Sequence, residues 1–124
     1  MKRVEQAIAH IAENVSGKSV LEVACGCAEF SLAAAPAAKS VDGIDLDYLR
    51  LPPQARKTEG FAFTIMDATN MTFADASFDT VVMYNAIGHL CAVLEKVLKE
   101  CLRVTKPGGV IFVISSFRMD MPVI

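Results

Sequence analysis

Three acids, Glu22, Asp45 and Asp67, have the types and spacing to do chemistry together in this 124-residue chain. Each stands at or near the end of a short apolar run, and no Lys or Arg occurs among the turn residues immediately after them. Between the first two lies Ala24-Cys25-Gly26-Cys27-Ala28. Such small side chains let the backbone approach a ligand closely, and a helix after them would aim its free N–H groups and positive end at that ligand. Asp45 follows Gly26 by 19 residues. At that separation an acid on the tip of the next strand can accept hydrogen bonds from both hydroxyls of a ribose. Capping of a helix by Asp45 or Asp47 is the structural alternative. Three carboxylates repel a pyrophosphate, whereas they attract a sulfonium or ammonium group carried on a neutral nucleoside. The dinucleotide fingerprint is also absent, because Ala24, Gly26 and Glu29 occupy its three glycine positions.

The elements that must position these acids alternate in type. Val4, Ala7, Ile8, Ile11, Ala12 and Val15 recur at helical spacing, and Ser16-Gly17 closes that helix. His10 falls among its polar positions and reads as a solvated surface residue. A first strand is predicted over Ser19–Val23, a helix over Glu29–Ala35 stopped by Pro36, and a second strand over Ser40–Ile44 with Asp45 at its tip. Pro52 and Pro53 interrupt the segment that follows. A third strand is predicted over Phe61–Met66, ending at Asp67 and Ala68, and then a loop over Asn70–Ser77. The continuous apolar run Asp79–Tyr84 predicts a buried fourth strand with Asn85 at its tip. From His89 a helix carries Leu90, Leu94, Val97, Leu98 and Cys101 inward and Glu95, Lys96, Lys99, Glu100 and Arg103 outward. Lys106–Gly109 reads as a turn and Val110–Ile114 as a fifth strand. This alternation predicts one α/β domain over residues 1–124, a Rossmann-like, doubly wound open sheet with helices on both faces.

Composition narrows the ligand. A net charge of −2 gives no general attraction to nucleic acid or to an acidic membrane surface. Hydrophobic residues make up 53%, yet no apolar run reaches the roughly 20 residues of a membrane span. Lys2 and Arg3 are followed at once by Glu5 and Gln6, so no signal peptide is read and a cytoplasmic address is expected. Cys25, Cys27, Cys91 and Cys101 should then stay reduced. Cys25 and Cys27 have the chemistry of metal ligands, but Cys91 and Cys101 lack paired spacing, so no metal is expected.

An acid followed by small residues at alternate positions, Glu22, Ala24, Gly26 and Ala28, resembles motif I of the class I S-adenosylmethionine-dependent methyltransferases. The resemblance extends over Val41-Asp42-Gly43-Ile44-Asp45, the stretch from Asp67 through Phe78-Asp79-Thr80-Val81-Val82, and Leu102 to Val110. It implies a strand order 3-2-1-4-5, with five mainly parallel strands. It also implies that S-adenosylmethionine is the cofactor and S-adenosylhomocysteine the product. Glu22 with Ala24, Cys25 and Gly26 would hold the methionine part, Asp45 with Leu46 the ribose, and Asp67 with Ala68 the adenine. Tyr84 and Asn85 would line the methyl-donating side, and His89 is placed to be a general base or a histidine at a helix start. Ala24 and Ala28 replace glycines usual in motif I, so their methyl groups obstruct the ligand if the backbone there needs positive φ.

The function implied is methyl transfer to a small-molecule acceptor, with a non-catalytic cofactor-binding module or the regulatory partner of another methyltransferase as the alternative. Family members continue past the fifth strand into an antiparallel hairpin, whereas ten residues follow Ile114 here. A short form without that hairpin is expected. Its apolar fifth strand would be covered by a second copy, by a protein partner, or by the tail residues Phe117, Met119, Met121, Val123 and Ile124.

Overall fold

Apolar β-branched runs form the centre of the molecule, and the computed structural model describes residues 2–115. The elements are α1 (Arg3–His10), α2 (Ala12–Val15), β1 (Ser19–Val23), α3 (Glu29–Ala34), β2 (Ser40–Asp45), β3 (Phe61–Ile65), β4 (Phe78–Tyr84), α4 (Ile87–Leu90), α5 (Leu94–Val104) and β5 (Thr105–Ile114). Single 3₁₀ turns span Pro53–Lys57 and Cys91–Val93. The five strands form one sheet in the order β3-β2-β1-β4-β5, with every pairing parallel. The order expected from the sequence is the order observed.

Side chains alternate across the two central strands, so the sheet has two cores. Leu21, Val23, Val81 and Met83 pack on one face with Leu90, Val97, Cys101 and Val104 from α4 and α5. Val20, Val82 and Tyr84 pack on the other with Val4, Ile11, Val15, Phe30 and Ala34 from α1, α2 and α3. Burial on both faces explains why these strands read as continuous apolar runs. The parallel strands bring the acid-bearing tips to one edge of the sheet.

Three local departures from the sequence reading have physical causes. The predicted first helix breaks at Ile11, which takes φ −118 and ψ 24 and whose N–H reaches Ile8 O instead of continuing the α pattern. The break turns α2 toward the sheet, where Thr80 Oγ donates to Asn14 O at 2.6 Å. The helix expected from His89 starts earlier, at Ile87, and the turn at Cys91–Val93 resets its phase so that Leu90 and Val97 join one core. Lys106–Gly109 is not a free turn but a bulge within β5. Phe78 pairs with Thr105 and Thr80 with Val110, so four residues of β5 face Asp79 alone. A Cβ on Gly109 would lie 2.7 Å from Asp79 O, which explains the glycine.

The loop after β3 is tied down from α5. Arg103 donates to Met71 O at 2.9 Å and to Phe73 O at 2.8 Å, and it pairs with Asp75 and Glu100. A guanidinium can hold several acceptors in one plane, which a Lys cannot do. β5 is a sheet edge among the described residues, and the tail residues expected to cover it lie outside them.

Candidate functional site

Two clefts open beyond the carboxyl ends of β1, β2 and β4, and they share Ala24, Arg50 and His89 as a common wall. The larger, of about 350 Å³, is lined by Asp45, Leu46, Met66, Asp67, Ala68 and Thr69, with Leu90, Val93 and Val97 as its apolar side. The smaller, of about 110 Å³, is lined by Glu22, Cys25, Gly26, Tyr84 and Asn85, with Cys27 and Glu29 at its mouth. A cleft of the larger size falls within the usual range for small-molecule sites. Every site residue expected from the sequence, His89 included, borders one or both clefts.

The turn after β1 is held in an unusual backbone conformation. Ala24, Gly26 and Ala28 have φ of 56°, 55° and 60°. For an L-residue other than glycine this costs about 1–2 kcal/mol, and such strain tends to cluster at ligand sites. The two alanines are therefore in the conformation for which the family uses glycine, and the Ala24 methyl borders both clefts. Cys25 N–H bonds Ile44 O at 2.9 Å, tying the turn to β2. The Cys25 thiol is buried over Gly43, and burial pushes its pKa up to about 12, so it stays a protonated thiol.

Each acid has a different environment. Glu22 is 1% exposed on the central strand. It accepts from Ser31 N–H at 3.1 Å and Ser31 Oγ at 2.6 Å, both on α3. Burial pushes its pKa up to about 8, against the lowering effect of the Ser31 bonds. Asp45 takes one backbone N–H on each oxygen, Gly26 on Oδ2 and Leu46 on Oδ1, both at 2.7 Å. Each carboxylate oxygen keeps a further lone pair for a ligand hydroxyl. Asp45 caps no helix. Asp47 caps none either: its Oδ1 accepts from Leu49 N–H at 2.9 Å within a turn, and the 3₁₀ turn that follows starts only at Pro53. Asp67 accepts from the N–H and hydroxyl of Thr69, and these bonds hold its carboxyl below the usual range.

One expectation is corrected by the geometry. The rim was read as free of cations, but Arg50 reaches back over the turn. Its Cζ lies 2.9 Å from where a Cβ on Gly26 would stand. Arg50 lies five residues past Asp45, beyond the turn residues next to the strand end, with no spacing to flag it.

Comparison with known proteins gives a consistent picture. The family model described as a methyltransferase domain matches residues 21–113. The chain is 38% identical over 95 residues to the demethylmenaquinone methyltransferase of Renibacterium salmoninarum, covering 77% of this chain and 40% of that protein. It is 35% identical over 102 residues to the phthiotriol/phenolphthiotriol dimycocerosates methyltransferase of Mycobacterium leprae, covering 77% and 37%. The chain thus spans about two fifths of the curated relatives it matches. Among solved structures it superposes on a SAM-dependent methyltransferase from Methanosarcina mazei with a TM-score of 0.68 and 28% identity, covering 84% of this chain and 55% of that one. A SAM-dependent methyltransferase from Aquifex aeolicus, at 19% identity, shares the fold alone, with a TM-score of 0.80 over 97% of this chain and 69% of that one.

Proposed function

The chain belongs to the methyltransferase-domain family, the class I S-adenosylmethionine-dependent methyltransferases, and from that premise we propose that it binds S-adenosylmethionine across its two joined clefts and transfers the methyl group to a small-molecule acceptor. The observation that carries the reading is the gathering of Glu22, Asp45 and Asp67 around two adjoining clefts at the strand tips. The residues fit the cofactor. An acid-rimmed cleft with an apolar wall accepts a neutral adenosine, and the Asp45 and Asp67 carboxylates favour a sulfonium and an ammonium over a phosphate.

In this reading Asp45 takes the ribose hydroxyls, and Asp67 with Ala68 borders the adenine. Glu22 and the turn from Ala24 to Gly26 hold the methionine part, with Leu46 against the nucleoside and Tyr84 and Asn85 toward the donated methyl. When bound, the cofactor would supply an activated methyl carbon, open to in-line attack by an acceptor nucleophile with S-adenosylhomocysteine as the leaving group. The chain's own contribution is then to position and desolvate, which accounts for much of the rate of such displacements. His89, exposed on the wall shared by both clefts, accepts the proton that the acceptor hydroxyl or amine gives up.

The acceptors named for the relatives, demethylmenaquinone and phthiotriol/phenolphthiotriol dimycocerosates, suggest an apolar acceptor for this chain. Exposed Leu46 (70%) and Val93 (40%) on the larger cleft support that choice. The test is transfer of a labelled methyl from S-adenosylmethionine to a panel of quinols and phenols. Transfer to at least one is expected, with His89→Ala lowering turnover by about 10²-fold or more while cofactor affinity stays within twofold, as for loss of a general base. Cofactor binding without transfer to any acceptor favours the non-catalytic module, and unaltered turnover in the variant returns His89 to a structural role.

We further propose a cytoplasmic setting, which the four free cysteines support, and coverage of the β5 edge by a second copy or a protein partner. No described helix is long and apolar enough to cross a membrane. Val110–Ile114 carries only apolar side chains along that edge, with Val113 half exposed, and such edges invite pairing. Light scattering at micromolar concentration should read a dimer or larger species. A stable monomer shows that the edge needs no second copy.

A further inference from the structure

Arg50 stands apart from every other charged group around the clefts. Among the described residues five carboxyl groups line them, Glu22, Glu29, Asp45, Asp47 and Asp67, and Arg50 is the one Lys or Arg that does. Among the described residues it forms no side-chain hydrogen bond and no ion pair, although these carboxyl groups border the same clefts. Its guanidinium instead lies over Gly26, with Nη1 at 2.9 Å and Nη2 at 3.2 Å from the position of a Cβ there, so any side chain at residue 26 would displace it. It therefore sits on the wall between the two clefts with its donors uncommitted.

An acid-rimmed site discriminates sharply between the parts of an amino acid. Its ammonium is attracted, but its carboxylate meets several like charges and enters only if one cation pairs with it. We propose that Arg50 is that cation, the residue by which the site selects a ligand carrying an α-carboxylate on its amino-acid arm. The proposal rests on the S-adenosylmethionine reading above and deepens it. A guanidinium offers two parallel N–H donors to a carboxylate, a geometry that a single ammonium does not reproduce. Because Arg50 has no partner among the described residues to give up, pairing with the ligand breaks none of their bonds. Glycine at residue 26 is then explained twice, by its positive φ and by the room it leaves for the guanidinium.

The test is a calorimetric comparison of S-adenosylhomocysteine with its decarboxylated analogue, which keeps the adenosine and the amine and lacks only the carboxylate. The wild type should prefer the carboxylate-bearing ligand by about tenfold or more, the scale of a charge-assisted pair. Arg50→Met should lose that factor on S-adenosylhomocysteine, keep its affinity for the analogue within twofold, and so erase the preference. Arg50→Lys should retain part of it. Thermal melts of both variants should match the wild type, since Arg50 is exposed and unpartnered. A preference that survives in Arg50→Met, or an equal loss on both ligands, overturns the assignment. Equal affinity of the wild type for the two ligands overturns it as well while leaving the cofactor reading intact. A wild type that binds neither ligand overturns the cofactor reading and this proposal with it.

Discussion

Replacing Glu22 with Gln makes the ligand-free protein more stable than the wild type at about pH 9, and the advantage disappears at about pH 5. A carboxyl whose pKa rises on folding, here from 4.5 to about 8, keeps a proton in the native state that the unfolded chain has already released. The stability this contributes is fully present below the unfolded value and is lost as pH rises through the folded value. For a shift of this size the loss across the interval is on the order of 5 kcal/mol, and Gln, with no proton to lose, escapes it. Gln also keeps an oxygen to accept from Ser31, so the core around β1 and α3 is preserved. Denaturant midpoints of the two proteins across the pH range should diverge upward from about pH 5. Parallel curves would show that Glu22 titrates as an ordinary surface acid.

Asp45→Ala weakens S-adenosylmethionine by roughly 1.5–3 kcal/mol, the range for hydrogen bonds to a charged group and a factor of about ten to a hundred or more in affinity. The same substitution removes the acceptor for Gly26 N–H and Leu46 N–H, so it also loosens the turn that the ligand rests on. Asp45→Asn separates the two effects, because its amide oxygen keeps one of the two backbone bonds. If Asn loses nearly as much affinity as Ala, the negative charge itself holds the ribose. A dissociation constant unchanged in both variants removes Asp45 from the site.

Much of this architecture is legible in the sequence because parallel strands covered on both faces leave an unmistakable trace. Val20–Val23 and Thr80–Tyr84 are apolar almost without interruption, and the residue at each strand tip changes abruptly to an acid, to Asn or to small residues. The gathering of Glu22, Asp45 and Asp67 at one edge follows from that punctuation, and the strand order from the resemblance to the methyltransferases. What escaped depends on packing that no local pattern encodes. The break at Ile11 arises because α2 must reach Asn14 toward Thr80, 66 residues away in the chain. The bulge at Lys106–Gly109 exists to pass Asp79. Arg50 sits in a loop of ordinary composition, and its place in the site comes from a side chain folding back onto a glycine 24 residues earlier. The positive φ at Ala24 and Ala28 was legible only as a question, since alanine itself gives no sign of it.

The central claim is that these acid-rimmed clefts hold S-adenosylmethionine and not a dinucleotide. Calorimetric titration of the wild-type chain with S-adenosylhomocysteine and with NAD, under identical conditions, tests it most directly. The account predicts saturable one-to-one binding of S-adenosylhomocysteine and no detectable heat from NAD, whose pyrophosphate the carboxylates repel. Equal or tighter binding of NAD would contradict it.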